Sequence, residues 1–447
     1  MLIKNGKLVY KDKVIEADIG INDGKISEIF ISKDNKYKAQ RILDAKNKYV
    51  LPGLIDSHVH FRTPGLTNKE TWKTASMAAV AGGITTVLDM PNTMPYLSKV
   101  SLLQEKEELI KNNSYVDYGF HFGVEPNNVQ QLNLIEKGMV SSIKVFLTGH
   151  HTAKNVITNQ EDLEKIFQIA SEKDIILTFH AEDEDTLNIL RRTKKPPSDL
   201  IEYEEYLPRT AGIIAINRIL KLMDKYKARV HILHVSSKEE VDLLIAAGKL
   251  GYSISYETTP HHLWFNNENN IRLGTKIKLS PAIRSAKDQK ALWESLITGS
   301  MISVGSDHAP HSKSEKALSL FEAPPGLPGV QEMLSVLVTG LKINYPKLSM
   351  DDIMSHIVRV LSYGPAQLFG IDKQKGNIKE GLDADLVILD SDLEWSIEEK
   401  DVYSLCKWSA YESINLKAKP LITIRSGEII YENGIFGPKN GKLLFDI

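Results

Sequence analysis

The sequence predicts an α/β protein: a (β/α)8 TIM-like barrel with a small β-sandwich built from both chain ends. Three observations carry that expectation. Eight apolar runs of strand length alternate with amphipathic stretches of helix length, the pattern of consecutive parallel βα units. Short strand-like stretches, punctuated by Gly with Asn or Asp, occupy the flanks. His58 with His60, Lys144, His180, His234 and Asp307 sit where five of the runs end, and a barrel gathers its strand ends into one mouth.

Residues 1–51 open with strand-like stretches over Leu2–Tyr10, Ala17–Ile21 and Lys25–Phe30. Asn5-Gly6 and Asp23-Gly24 are dipeptides of the hairpin-turn kind. The barrel is expected over 52–365, with strands in Leu54–His60, Ile84–Met90, Val116–Phe122, Ser141–Leu147, Ile175–His180, Val230–Val235, Tyr252–Glu257 and Ile302–Asp307. Between them, Asp162–Ala170 and Glu239–Ala247 space their apolar residues as helices do. Gly82-Gly83, after Ala78–Ala81, reads as a helix stop feeding the second strand. Residues 366–447 return to strands in Ala384–Asp390 and Leu421–Tyr431. Neither flank has enough apolar surface to stand alone, so the two are expected to complete one sandwich. A doubly wound open sheet fits the same alternation but does not explain ligand-type residues spread over runs one, four, five, six and eight.

Bulk properties narrow the function. The 447 residues exceed the roughly 250–300 at which one core stops growing, in keeping with a large domain plus a smaller one. Hydrophobic content of 42% and charged content of 25% are ordinary for a soluble protein. A net charge of −2 offers no footing for nucleic acid or an anionic membrane. The single cysteine, Cys406, excludes a disulfide within the chain and suits a reducing cytoplasm. No charged-then-apolar leader is visible and no apolar run reaches about 18 residues, so a cytoplasmic protein with a small-molecule substrate is expected, with homo-oligomerisation left open. All 13 histidines lie between His58 and His356, which agrees with chemistry confined to the middle of the chain.

His58 and His60 end an apolar strand two residues apart, so their imidazoles share a direction; Asp56 before them is a candidate acceptor to orient a ring. Lys144 lies in an otherwise apolar strand. Burial there would depress its pKa, and the neutral amine could capture carbon dioxide as a carbamate, an anionic bridge between two cations; a lysine reaching out to water from the strand end is the alternative. His180 and His234 add two strand-terminal imidazoles, suited to borderline metals. His231 lies out of phase with His234 and is given no ligand role. Asp307 ends the last run, where a carboxylate can bind metal and shuttle a proton. The set suits two divalent metals bridged by hydroxide, roughly 3.5–4 Å apart, or one metal with Lys144 as a plain cation.

The stretches Pro52–Gly65, Ala81–Pro95, Asp307–His311 and Gly381–Asp390 together resemble the signatures of the amidohydrolase superfamily and, within it, of the dihydroorotases, over nearly the whole chain. The resemblance implies that His58, His60, His180, His234 and Asp307 bind zinc, with carboxylated Lys144 bridging two ions. It further implies that Arg62, Asn92 and His311 hold a substrate carboxylate; a guanidinium fork suits that group. The reaction implied is reversible hydrolysis of (S)-dihydroorotate to N-carbamoyl-L-aspartate in pyrimidine biosynthesis, with Asp307 as proton shuttle. Hydantoinase, dihydropyrimidinase and allantoinase activities on related rings are the alternatives. Thr63 stands where dihydroorotases commonly have glutamate, Ser280 where many have asparagine, and Ala323–Gly329 departs from their commoner substrate loop.

Overall fold

The computed structural model describes residues 1–31, 37–149, 156–445 and 447. The first strands are β1 (Leu2–Val9), β2 (Val14–Asn22), β3 (Lys25–Phe30), β4 (Ile42–Asp44) and β5 (Tyr49–Pro52). The barrel strands are β6 (Leu54–Val59), β7 (Ile84–Asp89), β8 (Asp117–Gly123), β9 (Ser142–Phe146), β10 (Leu177–His180), β11 (Val230–Ile232), β12 (Ile254–Thr258) and β13 (Ser303–Val304). The chain ends with β14 (Leu386–Trp395), β15 (Leu416–Arg425), β16 (Glu428–Glu432) and β17 (Ile435–Phe436).

Strands β6 to β13 hydrogen-bond side by side in chain order as one parallel sheet of eight. Each expected run supplies one strand. Their near-continuous apolar sequence reflects burial on both faces. On the outer side, Leu163, Ile166, Phe167 and Ala170 of the helix Gln160–Glu172 share a core with Ile143, Val145, Leu177 and Phe179. The helix Lys238–Lys249 starts at a capping box between Ser237 and Glu240. The helix Trp72–Ala81 stops at Gly82, and Gly83 turns the chain at φ 85° into β7.

The barrel seam between β13 and β6 is closed differently from the other ladders. His60 N–H donates to the His308 carbonyl at 2.9 Å. Asp56 Oδ1 accepts from Ser306 N–H at 3.0 Å and from His58 N–H at 3.2 Å. Asp56 therefore stitches the seam through backbone amides and orients no imidazole, which corrects the role its sequence position suggested.

The chain ends form one path of strands, β17-β16-β15-β14-β5-β1-β2-β3, with β4 beside β1. The junction is the antiparallel pair of β5 with β14, from Tyr49 opposite Leu389 to Pro52 opposite Leu386. Ile3, Leu8, Ile19 and Val50 from one flank pack with Leu386, Ile388 and Ile424 from the other. Asp23 and Gly24, at φ 49° and 76°, make the expected two-residue hairpin. Asn5-Gly6 does not. It is a bulge within β1, where pairing with β2 shifts between Ile3 and Gly6. Asn5 adopts φ 56° and its N–H reaches Asp18 Oδ1 at 2.8 Å; a Cβ on Gly6 would lie 2.8 Å from Val50 Cγ2. Close passage of β5, not a reversal of the chain, selects that glycine.

A buried ionic cluster ties this sheet to the barrel base. Lys375 Nζ lies 2.7 Å from Asp117 Oδ2, 2.7 Å from Asp385 Oδ2 and 3.2 Å from Asp383 Oδ2. Arg425 Nη1 lies 2.6 Å from Asp117 Oδ1 at the start of β8.

Candidate metal centre

His58, on β6, and His60, just beyond it, project the same way because strand side chains alternate. Lys144 comes from β9 and His180 ends β10. His234 and Asp307 follow β11 and β13 by a few residues. All six line one cavity, with Arg62, Phe146, Ser280, Pro325 and Gly326 completing its wall. Asp307 Oδ1 lies 3.1 Å from His60 Nε2 and 3.3 Å from His58 Nε2, and one ligand atom from each of these three residues falls within 4.8 Å of the others. The rings of His180 and His234 have centroids 4.7 Å apart, and His234 lies 5.3 Å from His58. The strand-end convergence expected from the sequence is present.

Two carboxylates that sequence reasoning missed orient these rings. Glu257 Oε1 lies 2.6 Å from His58 Nδ1, leaving Nε2 to face Asp307. Glu182 Oε2 lies 2.8 Å from His180 Nε2 and 3.1 Å from Ser280 Oγ. Carboxylate partners of this kind fix tautomer and ring direction in metal sites. Burial pushes the Glu257 carboxyl up, but hydrogen bonds from His231 and His58 outweigh it and bring it down to about 2. The available signal was a charged residue closing the buried run Tyr252–Glu257 and, for Glu182, its place two residues after His180. His231 bonds Ser255 Oγ through Nδ1 at 2.9 Å and lies outside the ligand cluster, as expected.

The protonation states suit cation binding. Desolvation lowers His60 to about 3 and His234 well below the ordinary histidine range, so both are neutral donors near pH 7. The Nδ1 atoms of both rings have no hydrogen-bond partner. Lys144 is fully buried and its Nζ, 4.4 Å from the Phe146 ring centroid, makes no hydrogen bond or ion pair with a described residue. Burial drops its ammonium to about 7 against the pull of Asp307 and Glu257. A neutral amine there has the nucleophilicity that carbamate formation needs. The donor set of imidazoles, carboxylate and reactive amine fits a divalent metal centre.

Arg62 lies in the same cavity wall, buried, with no hydrogen-bond partner for Nε or Nη1. Burial lowers its guanidinium to about 10, with Asp307 and Asp89 opposing. Asp89 Oδ1 also accepts the Phe61 N–H at 2.7 Å, fixing the backbone just before Arg62. Asn92 and His311 are buried but do not line this cavity. Lys69 Nζ donates to His311 Nδ1 at 3.0 Å, which leaves Nε2–H to donate to the Pro325 carbonyl at 3.0 Å. Arg62, His234 and Asp307 adopt φ 58°, 38° and 47°, a left-handed conformation that non-glycine residues hold only when their surroundings impose it.

Among the described residues, no helix is long and apolar enough to cross a membrane. The amidohydrolase family matches residues 49–430. A dihydroorotase of Methanosarcina acetivorans is 32% identical over 98% of this chain and 94% of its own. A dihydroorotase of Pyrococcus abyssi is 34% identical over 99% and 98%. A solved L-hydantoinase (dihydropyrimidinase) of Arthrobacter aurescens superposes with a TM-score of 0.94 at 29% identity, covering 100% of this chain and 99% of that one.

Proposed function

This chain belongs to the amidohydrolase family, and from that premise we propose that it is a dihydroorotase, interconverting (S)-dihydroorotate and N-carbamoyl-L-aspartate in pyrimidine biosynthesis. The observation that carries the substrate is Arg62. A buried guanidinium with two unpartnered nitrogens, beside the ligand cluster, suits a ring that brings its own carboxylate. Dihydroorotate has that carboxylate; hydantoin, dihydrouracil and allantoin do not. The dihydroorotases at 32% and 34% identity support the same reading.

In this reading His58, His60, His180, His234, Asp307 and a carboxylated Lys144 would together hold two zinc ions. The bound ions would supply Lewis acidity to the ring amide carbonyl and acidify the attacking water. Arg62 anchors the carboxylate and so presents the ring amide to the cluster, while Asn92 and His311 support that subsite from outside the cavity lining, His311 through the Pro325 carbonyl. Asp307 accepts a proton from the attacking water and passes it to the departing ring nitrogen. Glu257 and Glu182 keep His58 and His180 turned towards the cluster. In the synthetic direction the same residues run the proton transfers in reverse. A cytoplasmic enzyme with small-molecule partners suits the lone buried Cys406.

L-hydantoinase is the second reading, favoured by the TM-score of 0.94 and by Ser280 in the cavity wall. Initial rates on dihydroorotate, dihydrouracil, hydantoin and allantoin, with zinc counted on the same sample, separate the two. Turnover of dihydroorotate far above the others, at two zinc per chain, is expected. Opening of a carboxylate-free ring with dihydroorotate untouched rejects the assignment.

A further inference from the structure

The segment 320–326 forms part of the cavity wall through Pro325 and Gly326, yet it is neither helix nor strand. Its carbonyls are held by side chains. Lys278 Nζ donates to the carbonyls of Leu320 at 2.6 Å, Phe321 at 3.1 Å and Ala323 at 2.6 Å. Lys316 Nζ donates to those of Pro324 at 3.0 Å and Gly326 at 2.9 Å. His311 takes the Pro325 carbonyl between them.

Both lysines are 5% exposed, and neither has a carboxylate at ion-pair distance among the described residues. An ammonium buried without a counter-ion is costly, and an apolar side chain of similar length would fill the same space more cheaply. Burial accordingly lowers Lys278 to about 8 and Lys316 to about 7. Pro324 and Pro325 cannot donate a hydrogen bond, so this strap has few amides with which to order itself. Its order comes from outside, from two points behind the cavity wall.

We propose that Lys278 and Lys316 are positioning residues for the reaction: they draw the 320–326 strap inward by its backbone carbonyls and so hold Pro325 and Gly326 as the wall against which the substrate ring is placed. The proposal rests on the cavity being the substrate site, and it deepens that reading. A lysine reaches several carbonyls at once because its ammonium carries three donors; Lys278 gathers three from 320–323 and Lys316 two from 324–326, and together they fix a backbone that no ladder holds. Gly326 N–H returns to the Lys278 carbonyl at 2.9 Å, and Ala323 N–H to Ser319 at 2.8 Å, so the strap's own amide protection reports whether the latch is shut.

The test uses the full-length zinc-loaded enzyme with Lys278→Met and Lys316→Met, each read by amide hydrogen exchange and by steady-state kinetics. Exchange at Ala323 and Gly326 is expected to rise at least tenfold while amides of β9 and β10 keep their protection and zinc content is unchanged. In the same variants kcat/KM is expected to fall at least tenfold on whichever ring the parent enzyme opens. Unchanged strap exchange in both variants overturns the latch. Faster exchange with undiminished kcat/KM overturns the positioning role. If one variant does not fold, the other still decides, because each lysine holds its own carbonyls. Exchange is measured without substrate, so a failure of the dihydroorotate assignment shows only in the substrate panel and leaves this result readable.

Discussion

Asp307 presents one oxygen, Oδ1, to both His60 and His58, and the local backbone is held at φ 47° to do so. Replacing Asp307 with Asn removes the proton carrier without changing its shape. A fall in kcat of about 10²–10⁴-fold is expected, measured at matched zinc content; near-parental kcat would remove the shuttle role. At Arg62 the issue is binding. Arg62→Met is expected to raise KM for dihydroorotate roughly 10–100-fold, the weight of a charged hydrogen bond of about 1.5–3 kcal/mol, with little change in kcat; an unaltered KM would dismiss the carboxylate clamp. Five of the six ligand-type residues were legible because they sit at or just beyond the end of a buried run, and Lys144 because it is a lone charge in the middle of one. Glu257 was not, since its meaning depends on a partner 199 residues away. The surroundings of His311 were equally hidden, because only folding brings Lys69 to its Nδ1, with Glu315 close by.

Elements were legible where burial is symmetrical. Parallel strands covered on both faces announce themselves as apolar runs, and all eight were found in this way, even β13, which pairs over only two residues. Local dipeptide chemistry was a weaker guide. Asp23-Gly24 and Asn5-Gly6 look alike in sequence, yet one reverses the chain and the other is a bulge inside a strand, with the parallel neighbour β5 close against it. The same crowding explains Gly364, which opens the short helix Gly364–Leu368. A Cβ there would lie 1.9 Å from the Ile302 carbonyl oxygen beside β13. Gly364→Ala is expected to destabilise the fold by about 1–3 kcal/mol through forced backbone displacement, measured as the denaturant midpoint; an unchanged midpoint would mean that the two elements can separate freely.

On the scale of the whole molecule, the sheet of chain ends is clamped to the barrel base by Lys375 among Asp117, Asp383 and Asp385. Lys375→Met would leave the three carboxylates with Arg425 on Asp117 and Lys25 on Asp383, and Asp385 with no cation. A loss of about 3–5 kcal/mol is expected, as for other buried pairs broken on one side; denaturation retaining the parental midpoint would show that the cluster is dispensable. The catalysed equilibrium has its own pH dependence. Ring closure turns a dianion into a monoanion and takes up one proton, so each unit of falling pH shifts the balance about tenfold towards dihydroorotate, near 1.4 kcal/mol. Product ratios at equilibrium between pH 6 and 8 check the sign, and a flat ratio would mean that a different bond is being made.

The pairing of β5 with β14 has a consequence for biosynthesis. Strand β5 leaves the ribosome long before β14, the neighbour near Leu386 that completes its sheet. Most of the polypeptide must therefore emerge while its opening segment waits with an unfilled edge. Nascent chains arrested before that point should be vulnerable there, and release of β14 is the step that seals it.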